Sequence, residues 1–293
     1  MTVSQQEHDL GVIAEAVIPG NSTSLSDAVE QYLPEGVRMP RRGGRVITLV
    51  DLATHTSGLP RLPSDMHPKD PANPYADYST EALFRFVSSY TLTRDIGSRY
   101  EYSTLGVGLL GTALARRAGM TYEALLQSRI TDPLSMRNTH ITVSEDLKSR
   151  LATGHDALLA PMPGWDWAAL AGAGALRSSV NDLLTFLAVQ LGYLDSPLAS
   201  IASSMLEVHR ETGTPGVRAA LGWHIVARGS GEIVAHDGGT FGFRSFAAFH
   251  PQRRVGVVVL SNAFTFACCN DLGLHLLDLN VLPAGPDVSG ERN

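Results

Sequence analysis

The chemistry open to this 293-residue chain rests on histidine, tyrosine and hydroxyl side chains, because lysine and cysteine are scarce. Lysine occurs only at Lys69 and Lys148, and cysteine only at the adjacent Cys268 and Cys269. Three short segments concentrate reactive types: His55-Thr56-Ser57-Gly58-Leu59-Pro60, Tyr100-Glu101-Tyr102-Ser103-Thr104, and His236-Asp237-Gly238-Gly239-Thr240. An imidazole changes charge near neutrality. A phenol can carry a proton in general acid–base work, and a serine beside a base can act as a nucleophile. Taken singly, each segment also has a plain structural reading. His55 and Ser57 would shape a turn, Tyr102 would be a packed aromatic, and His236 would end a strand.

Other motifs are weaker or missing. Gly106-Val107-Gly108-Leu109-Leu110-Gly111 fits G-x-G-x-x-G, but a dinucleotide site needs a strand before the motif and a helix opening after it. Here the match falls inside a helical stretch, so small residues for close helix packing is the better reading. There is no G-x-S-x-G elbow and no His-Glu-x-x-His or paired Cys/His spacing for a metal. Neither a metal nor a cofactor is implied. Neighbouring cysteines suit buried apolar positions better than a disulfide. A net charge of −6 argues against nucleic acid as a partner. No stretch approaches a membrane span, and the N-terminus lacks the basic region of a signal peptide.

Periodicity supplies the elements that would position these residues. Leu10, Ile13, Ala14 and Val17 recur at helical steps and predict a helix over 1–18, with a short helix at 26–32. Helices are expected at 81–89 behind Thr80, at 104–118 ending on Gly119, and from Thr121 to about 130. Residues 152–178 read as a Gly/Ala/Trp-rich loop. Ser179 with Asp182 resembles a capping box for a helix through Leu191. Strands are expected at 221–228, 231–236, 243–250 and 255–260, the last a buried central member because Val255-Gly256-Val257-Val258-Val259-Leu260 is continuously apolar. A final helix at about 264–280 would cover the sheet. The class is α+β.

In this order and spacing, the three segments resemble the class C β-lactamase-related serine hydrolases, a group that includes penicillin-binding-protein-like DD-carboxypeptidases, endopeptidases and esterases. The stretch Ile47-Thr48-Leu49-Val50 leading to Leu52-Ala53-Thr54-His55-Thr56-Ser57 favours the DD-carboxypeptidase/endopeptidase branch, and the likeness runs from about 12 to 280. The resemblance implies a β-lactamase/transpeptidase-like fold, an antiparallel sheet flanked by helices plus a mainly helical lobe. It implies one domain over 1–293: 1–35 as a remnant of the N-terminal helix region, 36–215 as the helical lobe, 216–282 as the C-terminal sheet and helix, and 283–293 as a tail. The substrate implied is a small molecule or peptide. The resemblance casts Tyr102 as the proton shuttle and His236 as the charge or hydrogen bond beside it. Gly238 and Gly239 become substrate-binding backbone, Gly239 N–H being an oxyanion donor. Thr104 stands where the family has Asn, so it offers one hydroxyl in place of an amide's two-sided pairing.

One part of the family's equipment is missing. Its nucleophile is the Ser of Ser-x-x-Lys, and matching Gly20 and Ser24–Pro34 to the family places that turn near residues 3–6, where no lysine stands. Residues three before Lys69 and Lys148 are Met66 and Glu145, so the motif is absent throughout. The expectation is an N-terminally incomplete or inactive hydrolase, lacking the family's N-terminal strands and exposing a sheet edge. The alternatives are a non-catalytic binder of peptides or cell-wall fragments, and a small-ester hydrolase using another serine.

Overall fold

The computed structural model describes residues 4–6, 24–207, 209–229, 231–264 and 268–279. Two caps of the helical lobe, Thr121 and Ser179, stand where the sequence suggests. Helix α1 (Leu49–Ala53) opens where Thr48 donates its N–H (3.0 Å) and hydroxyl (2.6 Å) to the buried Asp51, whose other oxygen meets Arg45 at 2.8 Å. Helix α2 (Thr80–Ser89) is capped by Ser79, one residue before the Thr80 expected for that role; the Ser79 hydroxyl accepts from Ala82 N–H. Helix α3 (Thr104–Ala118) is capped by Ser103 and ends on Gly119 at φ 68°, the left-handed turn a glycine makes without steric cost. Helix α4 (Tyr122–Leu126) is capped by Thr121 and passes into a π-turn over Gln127–Thr131. The helix expected at 26–32 is a 3₁₀ turn, Val29–Tyr32.

Downstream come α5 (Glu145–Lys148), α6 (Val180–Gln190) and α7 (Ala199–Glu207), with a 3₁₀ segment at Ala168–Ala173. Ser179 caps α6, but Asp182 does not complete a box. Its carboxylate accepts from Asn138 N–H (2.7 Å), Asn138 Nδ2 (3.2 Å) and Thr139 Oγ1 (2.9 Å), tying the 137–140 loop to the helix. Asp182 is buried, so Asp182→Ala strands three donors and should cost about 2–4 kcal/mol, read as a lowered midpoint in urea denaturation with an unchanged slope.

The main sheet has six strands in the order β10-β9-β8-β7-β6-β5, all antiparallel. They are β5 (Arg210–Glu211), β6 (Val217–Ala219), β7 (His224–Arg228), β8 (Gly231–Thr240), β9 (Phe243–His250) and β10 (Val255–Ser261). Alternation divides its residues between two faces. Val234 and Phe249 are register partners facing the main core with Ile225, Trp223 and Val258, beside Phe186 and Leu187 of α6. Ile233, Ala235, Phe246 and Ala248 face the other way and pack on Cys269 and Leu277 of α8 (Cys268–Leu277). Cys269 is buried in this layer.

Two expectations need correction. The 255–260 run is not a central strand. Among the described residues β10 is the sheet's edge, with β9 on one side and no strand on the other. It is continuously apolar because both its faces are covered, Val258 by the main core and Val257 and Val259 by the α8 layer. The second correction concerns the helix expected over 1–18. Residues Ser4–Gln6 form a strand, β1, antiparallel to β4 (Leu176–Ser178), with Ser4 opposite Ser178. The rest of that expected helix lies outside the described residues. Between β1 and β4 in the chain, β2 (Gly154–His155) and β3 (Pro161–Met162) form a small hairpin within the segment read as loop.

The glycines of 106–111 serve packing. A Cβ on Gly108 would fall 2.9 Å from the Leu170 Cα, and one on Gly111 would fall 3.0 Å from the Gly172 Cα. The 3₁₀ segment therefore lies directly on the α3 backbone, as the sequence reading anticipated.

Candidate active site

Tyr102 is the last residue but one before α3, and the α3 cap holds it. Ser103 Oγ accepts from Gly106 N–H (2.9 Å) and donates to Pro60 O (2.7 Å), while Ser103 N–H donates to His55 Nδ1 at 3.1 Å. Because Nδ1 accepts, the neutral His55 ring carries its proton on Nε2. His55 has φ 56°, a conformation non-glycine residues rarely take. Bonds on both sides over-determine it, His55 N–H to Leu52 O (3.2 Å) and Glu101 N–H to His55 O (2.9 Å). The imidazole stacks on Tyr102 with centroids 4.3 Å apart, and the Arg61 guanidinium carbon lies 5.2 Å from the Tyr102 ring centroid. Arg94 and Arg99 both pair with Glu101, fixing the approach to Tyr102.

His236 is buried within β8 and does not end that strand as the single-segment reading had it; the strand continues through Gly238-Gly239-Thr240. Its ring lies 5.9 Å from that of His224 on β7. His224 Nε2 is hydrogen-bonded to the Tyr100 hydroxyl at 2.9 Å, and Tyr100 meets His55 edge-on at 5.6 Å. Tyr102, His55, Tyr100, His224 and His236 thus form one row of rings running from the start of α3 into the sheet. The structure brings Tyr102 and His236 to the two ends of that row. Thr104 is buried at the first turn of α3 beside Tyr102. Gly238 and Gly239 sit two and three residues beyond His236, opposite Ser245 and Arg244 of β9.

Tyr100 and His224 were not singled out from the sequence. His224 carries no sequence signal, standing in an ordinary alternating strand; Tyr100 could have been suspected from the Tyr-x-Tyr spacing.

Polar groups cluster at the turn end of the β8–β9 hairpin. The Thr240 and Ser245 hydroxyls are buried without a hydrogen-bond partner among the described residues. Alternation and register put both on the face turned to the main core, with His236 and Gly238. Strand β1 lies against β8 and β9, so the stretch matched to the family's nucleophile turn lies beside this sheet as a strand of Ser4, Gln5 and Gln6. An aromatic wall flanks this end. Phe241 follows Thr240 and meets Trp165 at 4.6 Å, Trp165 meets Trp167 at 5.7 Å, and Trp167 stacks on Tyr75 at 4.4 Å. Burial, and a hydrogen bond to Asp65, push the nearby Tyr78 phenol up, so it stays a donor.

A cavity of about 680 Å³ beside β4 is lined by Lys148, Asp166, Trp167 and Arg177 among others. A second, of about 290 Å³, shares Lys148 and Arg177 and reaches Phe243. Neither Tyr102 nor His236 lines them. Lys148 pairs with Glu145 at 2.6 Å. Among the described residues no group of three or more His, Cys, Asp or Glu could hold a metal ion, and no helix is long and apolar enough to cross a membrane.

Comparison with known proteins places the fold. Residues 12–272 match the family model described as Beta-lactamase. The chain is 31% identical over 252 residues to the D-alanyl-D-alanine-carboxypeptidase/endopeptidase AmpH of Escherichia coli (strain K12), covering 82% of this chain and 64%, under two thirds, of that relative. It is 25% identical over 288 residues to a β-lactamase of the same organism, covering 86% of this chain and 72% of the relative. Among solved structures, a β-lactamase/D-alanine carboxypeptidase from Yersinia pestis superposes with TM-score 0.79 at 24% identity, covering 94% of this chain and 82% of that one. The octameric penicillin-binding protein homologue from Pyrococcus abyssi gives 0.78 at 21%, covering 95% and 66%. The chain therefore belongs to the β-lactamase family and has the α+β fold of the class C β-lactamase/DD-peptidase superfamily, an antiparallel sheet flanked by helices.

Proposed function

We propose that the cleft between α3 and β8 receives an acyl ligand of the type this family hydrolyses, a D-Ala-terminated peptide, a β-lactam or a small ester, and that these 293 residues bind it with little or no turnover. The row of rings joining Tyr102 to His236 carries the binding half of this reading, since it links the start of α3 to the strand that carries the Gly238–Gly239 backbone. The absence of Ser-x-x-Lys from the sequence carries the other half.

In this reading Tyr102 is the proton-transferring phenol, His236 at the other end of the row supplies a hydrogen bond or charge to the ligand, and Gly239 N–H faces the ligand's carbonyl oxygen. Thr104 offers a hydroxyl to the ligand amide. Without the N–H of a nucleophilic serine, one oxyanion donor is missing, a loss worth ~10²–10³ in rate where it has been measured. The likeness to a D-alanyl-D-alanine carboxypeptidase/endopeptidase supports the peptide among the ligand classes.

Two versions remain distinct. In one, the chain belongs to a hydrolase whose nucleophile segment is encoded outside these residues; an in-frame Ser-x-x-Lys helix in the upstream coding DNA supports it, and a stop codon directly upstream counts against it. In the other, the chain is a non-catalytic binder of peptides or cell-wall fragments. Calorimetry of the folded chain with N-acetyl-D-Ala-D-Ala tests both. Saturable binding without release of D-alanine is the expected result. Absence of binding by folded protein, or steady D-alanine release, overturns the proposal.

A further inference from the structure

We propose that the cavity of about 680 Å³ beside β4 is a second ligand site, separate from the α3–β8 cleft, and that it takes a small aromatic carboxylate. This goes beyond the acyl-ligand reading and does not depend on it.

Most of the cavity wall is apolar, from Ile141, Val143, Leu151, Trp167 and Ala175. Its volume falls in the range of about 300–1,000 Å³ that holds a small organic ligand. Trp167 supplies a flat aromatic surface. The indole is stacked on Tyr75 with centroids 4.4 Å apart, which fixes its orientation. Its Nε1–H is buried and has no hydrogen-bond partner among the described residues. None of Tyr102, Thr104, His236, Gly238 and Gly239 lines this cavity.

The polar groups that remain open here are donors. Arg177 Nη1 donates to Ile141 O, and Nη2 donates to Trp165 O (2.8 Å) and Asp166 Oδ1 (3.1 Å). These bonds use three of a guanidinium's five donors and hold the fork in place. The Arg177 backbone is fixed as well, exchanging bonds of 2.8 and 2.9 Å with His140. The neighbouring wall is tied down by Glu123, whose Oε1 accepts from Ile141 N–H (2.9 Å) and Thr142 N–H (2.8 Å). A site already this ordered loses little freedom on binding.

Charge then selects the ligand. Lys148 adds a second cation, and its pair with Glu145 is exposed on both partners, so it competes weakly. Asp166 is the one carboxylate among the lining residues. Both of its oxygens are engaged, Oδ1 by Arg177 and Oδ2 by Asn73 Nδ2 at 3.0 Å. Two cations with unused donors call for an anion, and the apolar wall calls for a ring system attached to it. A bare phosphate would satisfy the cations and leave the wall empty.

The test is calorimetry with naphthylacetate and its neutral amide, while the Trp167 Nε1–H NMR signal is followed in the unaltered protein. The acid should bind saturably, move that signal, and bind about ten-fold tighter than the amide, the size of a charge-assisted hydrogen bond. Lys148→Gln should weaken the acid about three-fold and leave the amide unchanged. Val143 is half-buried and lies outside the main core; Val143→Phe narrows the cavity and should weaken both ligands at least ten-fold. Thermal melts establish that the variants fold, and the NMR titration needs no variant. Saturating N-acetyl-D-Ala-D-Ala should leave the naphthylacetate affinity unchanged. Displacement by the dipeptide would put the ligand in the α3–β8 cleft and overturn the second site. Equal binding of acid and amide, an unmoved Trp167 signal, or affinities untouched by both variants overturn it too. If the dipeptide does not bind at all, the naphthylacetate titration still decides this proposal alone.

Discussion

A fluorescent penicillin or a fluorophosphonate mixed with the folded 293-residue chain should leave no covalent label after hours at neutral pH. Acylation needs a serine oxygen that gives up its proton as it attacks, and a bare hydroxyl does so poorly. In this family the lysine of Ser-x-x-Lys lowers that cost, and neither Lys69 nor Lys148 has a serine three residues earlier. Removing the nucleophile of another serine hydrolase costs about 10⁶ in kcat, and a loss of that order should hold here against an intact relative. Ser57, two residues from His55, is poorly placed. Ser57 is buried, and its Oγ accepts from Leu59 N–H at 3.3 Å. His55 spends its Nδ1 on the Ser103 backbone, so the two do not form a base–nucleophile pair. Intact-mass spectrometry reads the outcome. A stoichiometric adduct on one serine would overturn the reading, and peptide mapping would name the alternative nucleophile.

Gly172→Val should destabilise the fold by about 3 kcal/mol, lowering Tm by roughly 6–10 °C. A Cβ at 172 would lie 2.8 Å from Val107 O and 3.1 Å from the Gly111 Cα. Both atoms are α3 backbone, so no side chain can swing aside to relieve the clash. The 3₁₀ segment has to lift away from α3, opening the seam where Leu170 is fully buried. Gly119→Ala is the control. Gly119 has open space around it and only its positive φ is at stake, so the cost should be about 1 kcal/mol. Differential scanning calorimetry of the two variants decides the matter. Equal shifts would show that the close approach at Gly172 contributes nothing. Because α3 also carries the Ser103 cap that orients Tyr102, ligand affinity should fall with Gly172→Val and stay unchanged with Gly119→Ala.

The sequence was most legible where a residue's role is local. Thr121 and Ser179 act as caps through a bond to a backbone N–H a few residues away, and Gly119 ends α3 for a reason visible in its own φ. The family signature was legible because its motifs keep their order along the chain. The absence of Ser-x-x-Lys follows from two lysine positions alone. Errors arose where the deciding partner is distant. The apolar run 255–260 read as central because burial on two faces and a central place in the sheet leave the same pattern; which layer covers each face is a matter of tertiary packing. Asp182 looked like half of a capping box, yet Asn138 and Thr139 offer three donors to the same carboxylate.

For the candidate site, the sequence by itself supplied the residues the proposal uses: Tyr102, His236, the paired glycines 238 and 239, a threonine at 104, and no lysine three residues after a serine. Only the tertiary structure decided how they are connected. Tyr100 lies 124 residues from His224, and their 2.9 Å bond, with His55 stacked against Tyr102, exists because the segment before α3 meets the start of β7. The same holds for Arg244, an ordinary strand arginine in sequence. The register sets it opposite a residue with no side chain, under the ring of Phe264, and its Nε has no hydrogen-bond partner among the described residues. Local patterns report on bonds made within a few residues, whereas a strand's register and its neighbours are settled by packing over the whole chain.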